Sequence, residues 1–215
     1  MINHHLSDKL LMAYSAGSLP EAFNLAVATH IALCDECRAR LASFDALGGV
    51  ILEEASAPDV SMESSALSAT LERVKTGKPT PRARQTAPQD ALLPAPLRDY
   101  VGDPSHIRWR SLGGGAKQMI LATTEQATAR LLLIPAGTKV PDHSHGGLEL
   151  TLVLQGAFAD EHDRFGRGDI EIADESTHHQ PIAEPGEDCI CLAVTDAPLR
   201  FRGLLPRLAQ PFLGI

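Results

Sequence analysis

A two-domain chain is predicted, a small all-α module followed by an all-β barrel or sandwich, and three features predict it. Up to Val74, apolar residues recur at helical spacing behind capping residues. Between Gly77 and Pro96, five prolines interrupt a stretch without periodic apolar positions, the composition of an extended linker. Beyond Leu97, short runs of Val, Ile, Leu and Thr are punctuated by glycine roughly every ten residues, the texture of a sandwich or barrel. The predicted organisation is a helical module over 1–75, a linker over 76–96 and a β domain over 97–215.

In chain order, Ser7-Asp8 precedes Leu10, Leu11, Tyr14 and Ala16, a capped amphipathic helix that ends near Gly17. Ser18-Leu19-Pro20-Glu21 fits a capping box, with Ser18 at the N-cap and Glu21 three residues on. The helix it opens carries Phe23, Val27, His30 and Cys34, and ends or turns into a third between Cys34 and Arg40. Leu41, Phe44, Leu47, Val50 and Ile51 continue at helical spacing to about Ala55. After a break at Pro58, Met62 to Val74 forms a fourth helix with Leu67, Leu71 and Val74 on one side. Four short helices enclose a thin core, so a metal staple would supply much of the missing stability.

The staple is legible at His30-Ile31-Ala32-Leu33-Cys34-Asp35-Glu36-Cys37. On one continuous helix, positions i, i+4 and i+7 share a stripe, which predicts His30, Cys34 and Cys37 as three soft ligands for Zn²⁺. A closed site needs a fourth ligand, and His4 or His5 would clip the amino terminus back onto this region. A redox C-x-x-C normally opens a helix after a strand, and no strand precedes this one.

Composition narrows the function classes. No window approaches the 18 apolar residues of a membrane span, and the first residues lack a signal-peptide pattern, so a cytoplasmic protein is expected. In that compartment the four cysteines read as metal ligands or reactive thiols. The formal net charge of −8 argues against direct nucleic-acid binding. From Met1 to Lys75 there are five Lys and Arg against ten Asp and Glu, a surface that would repel phosphates and suit a basic protein partner.

Within the β region, strands are expected over Ile107–Ser111, Lys117–Ala122, Ala127–Ile134, Glu149–Gln155, Ile170–Ile172, Cys189–Val194 and Leu199–Leu204. His143, His145 and Glu149 share parity, so in a strand they point to one face, while Leu148, Leu150, Leu152 and Leu154 hold the other. Two imidazoles and a carboxylate form an incomplete metal site, and His178 or His179 is the natural completion. Cys189 and Cys191 also share a face, either as an oxidisable thiol pair or as two small buried residues.

Gly137-(x5)-His143-Ser144-His145-(x3)-Glu149-(x6)-Gly156 resembles the first motif of the cupin superfamily, which implies a double-stranded β-helix, or jelly-roll, barrel. The second cupin motif is matched more loosely: Gly168 suits its turn, but Ala173-Asp174-Glu175 stands where a proline-x-glycine turn is usual. The His30-(x3)-Cys34-(x2)-Cys37 helix, the proline-rich linker and the barrel together resemble the ChrR-type zinc anti-sigma factors. Matching stretches include the opening His4-His5, Cys34-Asp35-Glu36-Cys37-Arg38, Glu149 to Phe158, Gly168 to Asp174 and Asp188 to Ala193.

That resemblance implies a ligand set and a mechanism. The amino-terminal Zn²⁺ would take His5, His30, Cys34 and Cys37. The cupin site would hold Zn²⁺ or another divalent transition metal on His143, His145, Glu149 and His179. The helical module would bind an extracytoplasmic-function sigma factor one-to-one and block its access to RNA polymerase, with the cupin domain needed for release in response to singlet oxygen or related oxidants. Such a chain is not an enzyme. The alternatives are a cupin metalloenzyme, a dioxygenase or isomerase with a small zinc assembly domain, and a zinc DNA-binding domain joined to a ligand-sensing cupin. The acidic module opposes the second of these.

Overall fold

Five helices precede twelve strands in the computed structural model, which describes residues 1–55, 61–77, 92–103, 106–201 and 203. The helices are α1 (Asp8–Ser15), α2 (Glu21–Ile31), α3 (Asp35–Glu54), α4 (Ala66–Thr76) and α5 (Ala95–Val101). Ser7 caps α1, its hydroxyl accepting from the Leu10 amide at 3.4 Å. The box expected at Ser18 does not form. Pro20 occupies the N-cap of α2, and the Ser18 hydroxyl turns back to donate to the Ala13 carbonyl at 3.0 Å. Glu21 then stands at the first helical position, where its carboxylate accepts from the Tyr100 hydroxyl at 2.9 Å and the Thr124 amide at 2.8 Å. Two donors from outside the helix satisfy that charge better than one amide of its own turn.

The stretch read as linker also departs from expectation at its end. Pro94 caps α5 and Pro96 sits in its first turn, where a missing N–H costs nothing. Leu93 and Leu97 are buried, so this segment is anchored rather than extended. Residues 78–91 of the predicted linker and the break at Pro58 lie outside the described residues. The predicted fourth helix exists as α4 but buries no residue, so the packed part of the module is α1 to α3 with α5.

The strands are β1 (Arg110–Gly113), β2 (Ala116–Ile120), β3 (Thr128–Ile134), β4 (His143–His145), β5 (Glu149–Gln155), β6 (Ala157–Ala159), β7 (Arg164–Gly166), β8 (Ile170–Ala173), β9 (His178–His179), β10 (Ile182–Ala183), β11 (Cys189–Thr195) and β12 (Leu199–Phe201). All pairings are antiparallel. They form one six-stranded sheet, β1-β2-β3-β11-β5-β8, and two three-stranded ones, β10-β6-β7 and β12-β4-β9. The four strands without an expected counterpart, β6, β7, β9 and β10, have two or three residues each, too short to show an alternating pattern.

The two faces of the large sheet carry different loads. Leu150, Leu152 and Leu154 of β5, with Leu131 of β3 and Leu192 and Val194 of β11, belong to one apolar cluster with Leu11, Phe23, Val27 and Leu97 of the helices. The helix α2 lies across β11, β5 and β3. Val153, Ile134, Phe158, Phe165, Ala183 and Cys189 form a separate cluster on the inner side, between the sheets. Both faces are therefore dry, which is why β3, β5 and β11 read as continuous apolar runs. Each fully buried leucine contributes about 2 kcal/mol, so the core shared by helices and sheet is a large part of the fold's stability.

Candidate metal centres

The first cluster assembles where two helices meet. The helix α2 ends at Ile31, and Cys34 is the N-cap of α3, its sulfur accepting from the Cys37 amide at 3.4 Å. The single-helix stripe expected for His30, Cys34 and Cys37 is thus replaced by a helix end, a two-residue turn and a new helix start. Breaking the helix lets the two sulfurs and the imidazole converge instead of lying along a line. His5 completes the group from the amino-terminal tail, while the neighbouring His4 turns to Asp163.

His30 Nε2 lies 3.3 Å from Cys37 Sγ, and His5 Nδ1 lies 3.3 Å from Cys34 Sγ and 3.7 Å from Cys37 Sγ. The four ligand atoms are all within 4.8 Å of one another. A tetrahedron with Zn–N of about 2.0 Å and Zn–S of about 2.3 Å has edges of this length. Burial pushes the Cys37 thiol up to about 11, with the Cys34 sulfur adding to it. Burial likewise brings His30 down to about 4, opposed by the Gly168 carbonyl. Such a pocket penalises isolated thiolates, and a bound dication would reverse that penalty. The donor set fits a closed structural zinc centre.

The second cluster lies inside the barrel. β4 pairs with β9 so that His143 stands directly opposite His179, which brings together residues 36 apart in sequence. His179 Nε2 is 3.2 Å from both His143 Nε2 and His145 Nε2. Each ring is backed at its other nitrogen. His143 Nδ1 faces the Pro141 carbonyl at 2.8 Å, and His145 Nδ1 faces Glu149 at 3.4 Å. His179 Nδ1 lies 3.0 Å from both Asp160 and Glu171. Backing of this kind turns three Nε2 lone pairs toward one point.

Glu149 does not join the three convergent nitrogens. The chain bends at Gly146-Gly147, so Glu149 opens β5 rather than continuing β4, and its carboxylate stands behind His145 while accepting from the Thr151 hydroxyl at 3.0 Å. Burial opposes its charge, but His145, His143 and Thr151 hold the carboxyl below its usual range. His178 points away to Asp142, with Nε2 2.9 Å from the carboxylate. Burial also lowers His143 to about 4, which keeps it a neutral donor. For His179 burial acts in the same direction, but the hydrogen bonds and charges of Glu171 and Asp160 raise it to about 9.

Asp160 and Glu171 were not singled out in the sequence. Glu171 carries a signal in retrospect, as a buried carboxylate between Ile170 and Ile172 on β8, opposite Thr151. Asp160 lies in a turn whose residues show no pattern. Cys189 and Cys191 are both buried, and Cys191 faces Val153 across the ladder on the inner side. Its thiol is pushed well up by the hydrogen bond to Cys189 and by burial, with Glu149 and Glu171 contributing, so it is a thiol rather than a thiolate.

Residues 97–198 match the family model of the ChrR cupin-like domain. Over its whole length the chain is 59% identical to the anti-sigma-E factor ChrR of Cereibacter sphaeroides, and covers 99% of it. The chain belongs to the ChrR family. Its fold is also that of ChrR in the crystal structure of Rhodobacter sphaeroides SigE in complex with the anti-sigma ChrR. That match has a TM-score of 0.79 and 56% identity, and covers 91% of this chain and all of the other. A helical amino-terminal region with a metal-competent His/Cys cluster, followed by a cupin barrel, is therefore what this ChrR-family chain contains. Among the described residues, no helix is long and apolar enough to cross a membrane.

Proposed function

We propose that this chain is a cytoplasmic anti-sigma factor that binds and inhibits an extracytoplasmic-function sigma factor in a one-to-one complex. In this reading 1–75 is the sigma-binding module, 76–96 the linker and 97–215 the sensor domain. Zn²⁺ on His5, His30, Cys34 and Cys37 cross-links the tail to α2 and α3. The barrel holds Zn²⁺ or another divalent transition metal on His143, His145 and His179, with the ionised Glu149 behind His145, and is needed for release in response to singlet oxygen or related oxidants.

The observation that carries the reading is the unburied apolar surface of an acidic module. Leu47, Val50, Ile51 and Leu52 on α3 and Leu67, Leu71 and Val74 on α4 are each between 47% and 77% exposed. A surface of this kind on a soluble helical module marks a protein interface, and the excess of carboxylates around it suits a basic partner. The relationship to a chain that was crystallised with a sigma factor points to the same partner class.

The test is co-expression of the full chain with an extracytoplasmic-function sigma factor of the same genome, followed by size exclusion. A one-to-one complex is expected, and Cys34→Ala with Cys37→Ala should abolish it. A wild-type chain that folds, holds zinc and binds no such sigma factor would sink the reading in favour of a cupin metalloenzyme.

A further inference from the structure

The two metal-competent clusters are joined by one short piece of the barrel. Asp160 to Asp163 is the turn between β6 and β7, closed by the Asp160 amide donating to the Asp163 carbonyl at 3.0 Å. The Asp160 side chain accepts from the His162 and Asp163 amides at 2.8 and 2.9 Å, so the turn is braced from within. At its inner end Asp160, whose side chain is 2% exposed, holds His179 Nδ1 at 3.0 Å. At its outer end Asp163 holds His4 Nε2 at 2.8 Å. His4 immediately precedes His5 of the His/Cys cluster.

The next residues repeat the arrangement. Asp169 Oδ1 accepts from the Asn3 amide at 2.6 Å and the His4 amide at 3.0 Å. The Ile170 amide donates to the His4 carbonyl at 3.4 Å, and the adjacent Glu171 reaches His179 Nδ1 at 3.0 Å. The His4 ring packs on Phe165 with centroids 4.4 Å apart, and Phe165 in turn stacks on Phe158 in the barrel interior at 4.9 Å. Gly168 completes the seat. It has φ +89°, and a Cβ there would stand 2.6 Å from Ile2 Cδ1. The tail lies over this strap, and its hydrogen bonds come from side chains and amides that sit one to three residues from those fixing His179.

We infer that residues 160–171 are a clasp coupling the two clusters, in which metal held through His179 orders the strap and the strap orders the tail that presents His5. Asp160 and Glu171 are positioning residues for His179, while Asp163 and Asp169 are positioning residues for the tail. The inference rests on the sensor-and-module reading above, for which it supplies a physical route. Coupling of this kind is reciprocal, so loosening the tail must weaken the barrel's hold on metal as much as losing that metal loosens the tail.

The experiment uses the full zinc-loaded chain, amide hydrogen exchange over residues 3–6 and 168–171, and competition of a chelator for the barrel's Zn²⁺. Emptying the barrel cluster with His145→Ala should speed exchange at these amides by about tenfold, within the usual range of coupling between sites. Asp163→Asn changes a side chain that is 58% exposed and keeps an oxygen to accept from the Arg164 amide, so the fold should survive it. It should speed exchange in the tail and, although remote from the ligand atoms, lower the barrel's zinc affinity by a similar factor. Tail exchange indifferent to His145→Ala, or unchanged zinc affinity in Asp163→Asn, overturns the clasp. Sigma-factor binding by the same wild-type protein separates the two levels. Binding with an indifferent tail removes the clasp alone, whereas no binding removes the functional reading and leaves the clasp to stand on its exchange data.

Discussion

The two clusters are built by opposite strategies. The His/Cys cluster draws three of its four donors from eight consecutive residues, and its two sulfurs sit at the cap and in the first turn of one helix. The barrel cluster opposes His143 to His179 across a strand pair, and all of its convergent atoms are imidazole nitrogens backed by carbonyl or carboxylate. Sulfur ligands in a buried helical corner favour a closed, permanent cross-link. Nitrogen ligands held by a carboxylate network suit a metal whose coordination can change. The difference teaches that the two donor sets suit different tasks, the first a fixed cross-link and the second, in the proposed reading, a response.

The largest expected effect tests the first half of that contrast. Cys37→Ala should remove one equivalent of zinc and unfold α1 to α3, because metal-linked folding in such small modules is worth on the order of 10 kcal/mol. Zinc content and far-ultraviolet dichroism check it, and a helical signal that survives would make the cluster dispensable. His179→Ala should leave the helical signal intact while lowering the barrel's zinc affinity by more than about a hundredfold, beyond the loss typical of an outer-shell partner. His178→Ala should leave that affinity unchanged, and equal losses in the two variants would erase the assignment.

Two smaller effects sharpen where the regions meet. Leu152→Ala should cost about 2–5 kcal/mol. Because Leu152 lies in the cluster shared by sheet and helices, the loss should appear in one transition followed both by helical dichroism and by the fluorescence of Trp109. Two separate transitions would show that the helical region and the barrel unfold independently. Gly168→Ala places a side chain at positive φ beside Ile2 and should cost about 1–2 kcal/mol, read as a small fall in melting temperature.

Much of this was legible in the chain because the signals are local. The caps of α1, the H-x-x-x-C-x-x-C spacing and the parity of His143 and His145 depend on residues within a turn or a strand of one another. The apolar run of β5 was also plain, but what covers it was not. Leu150, Leu152 and Leu154 read as a face that packs into the body of the fold, and the structure adds that what covers it is the helices. A strand covered by a helix and one covered by a sheet have the same sequence. The capping box at Ser18 failed for a related reason, since Glu21 found partners on α5 and before β3 that lie 79 and 103 residues away.

By itself the sequence determined the class of the molecule, the three donors His30, Cys34 and Cys37, the pair His143 and His145, and the family that the chain resembles. Those depend on residue type and short spacing. Only the tertiary structure decided that the helix breaks at Cys34 and that His4 grips Asp163, beside the His5 that the family resemblance had already picked for the sulfurs. It also placed Glu149 behind His145 and turned Asp160 and Glu171 onto His179. Each of these turns on which of two neighbouring polar groups reaches a partner far along the chain. Hydrogen-bond geometry settles that within a few tenths of an ångström, a scale on which spacing in the sequence carries no information.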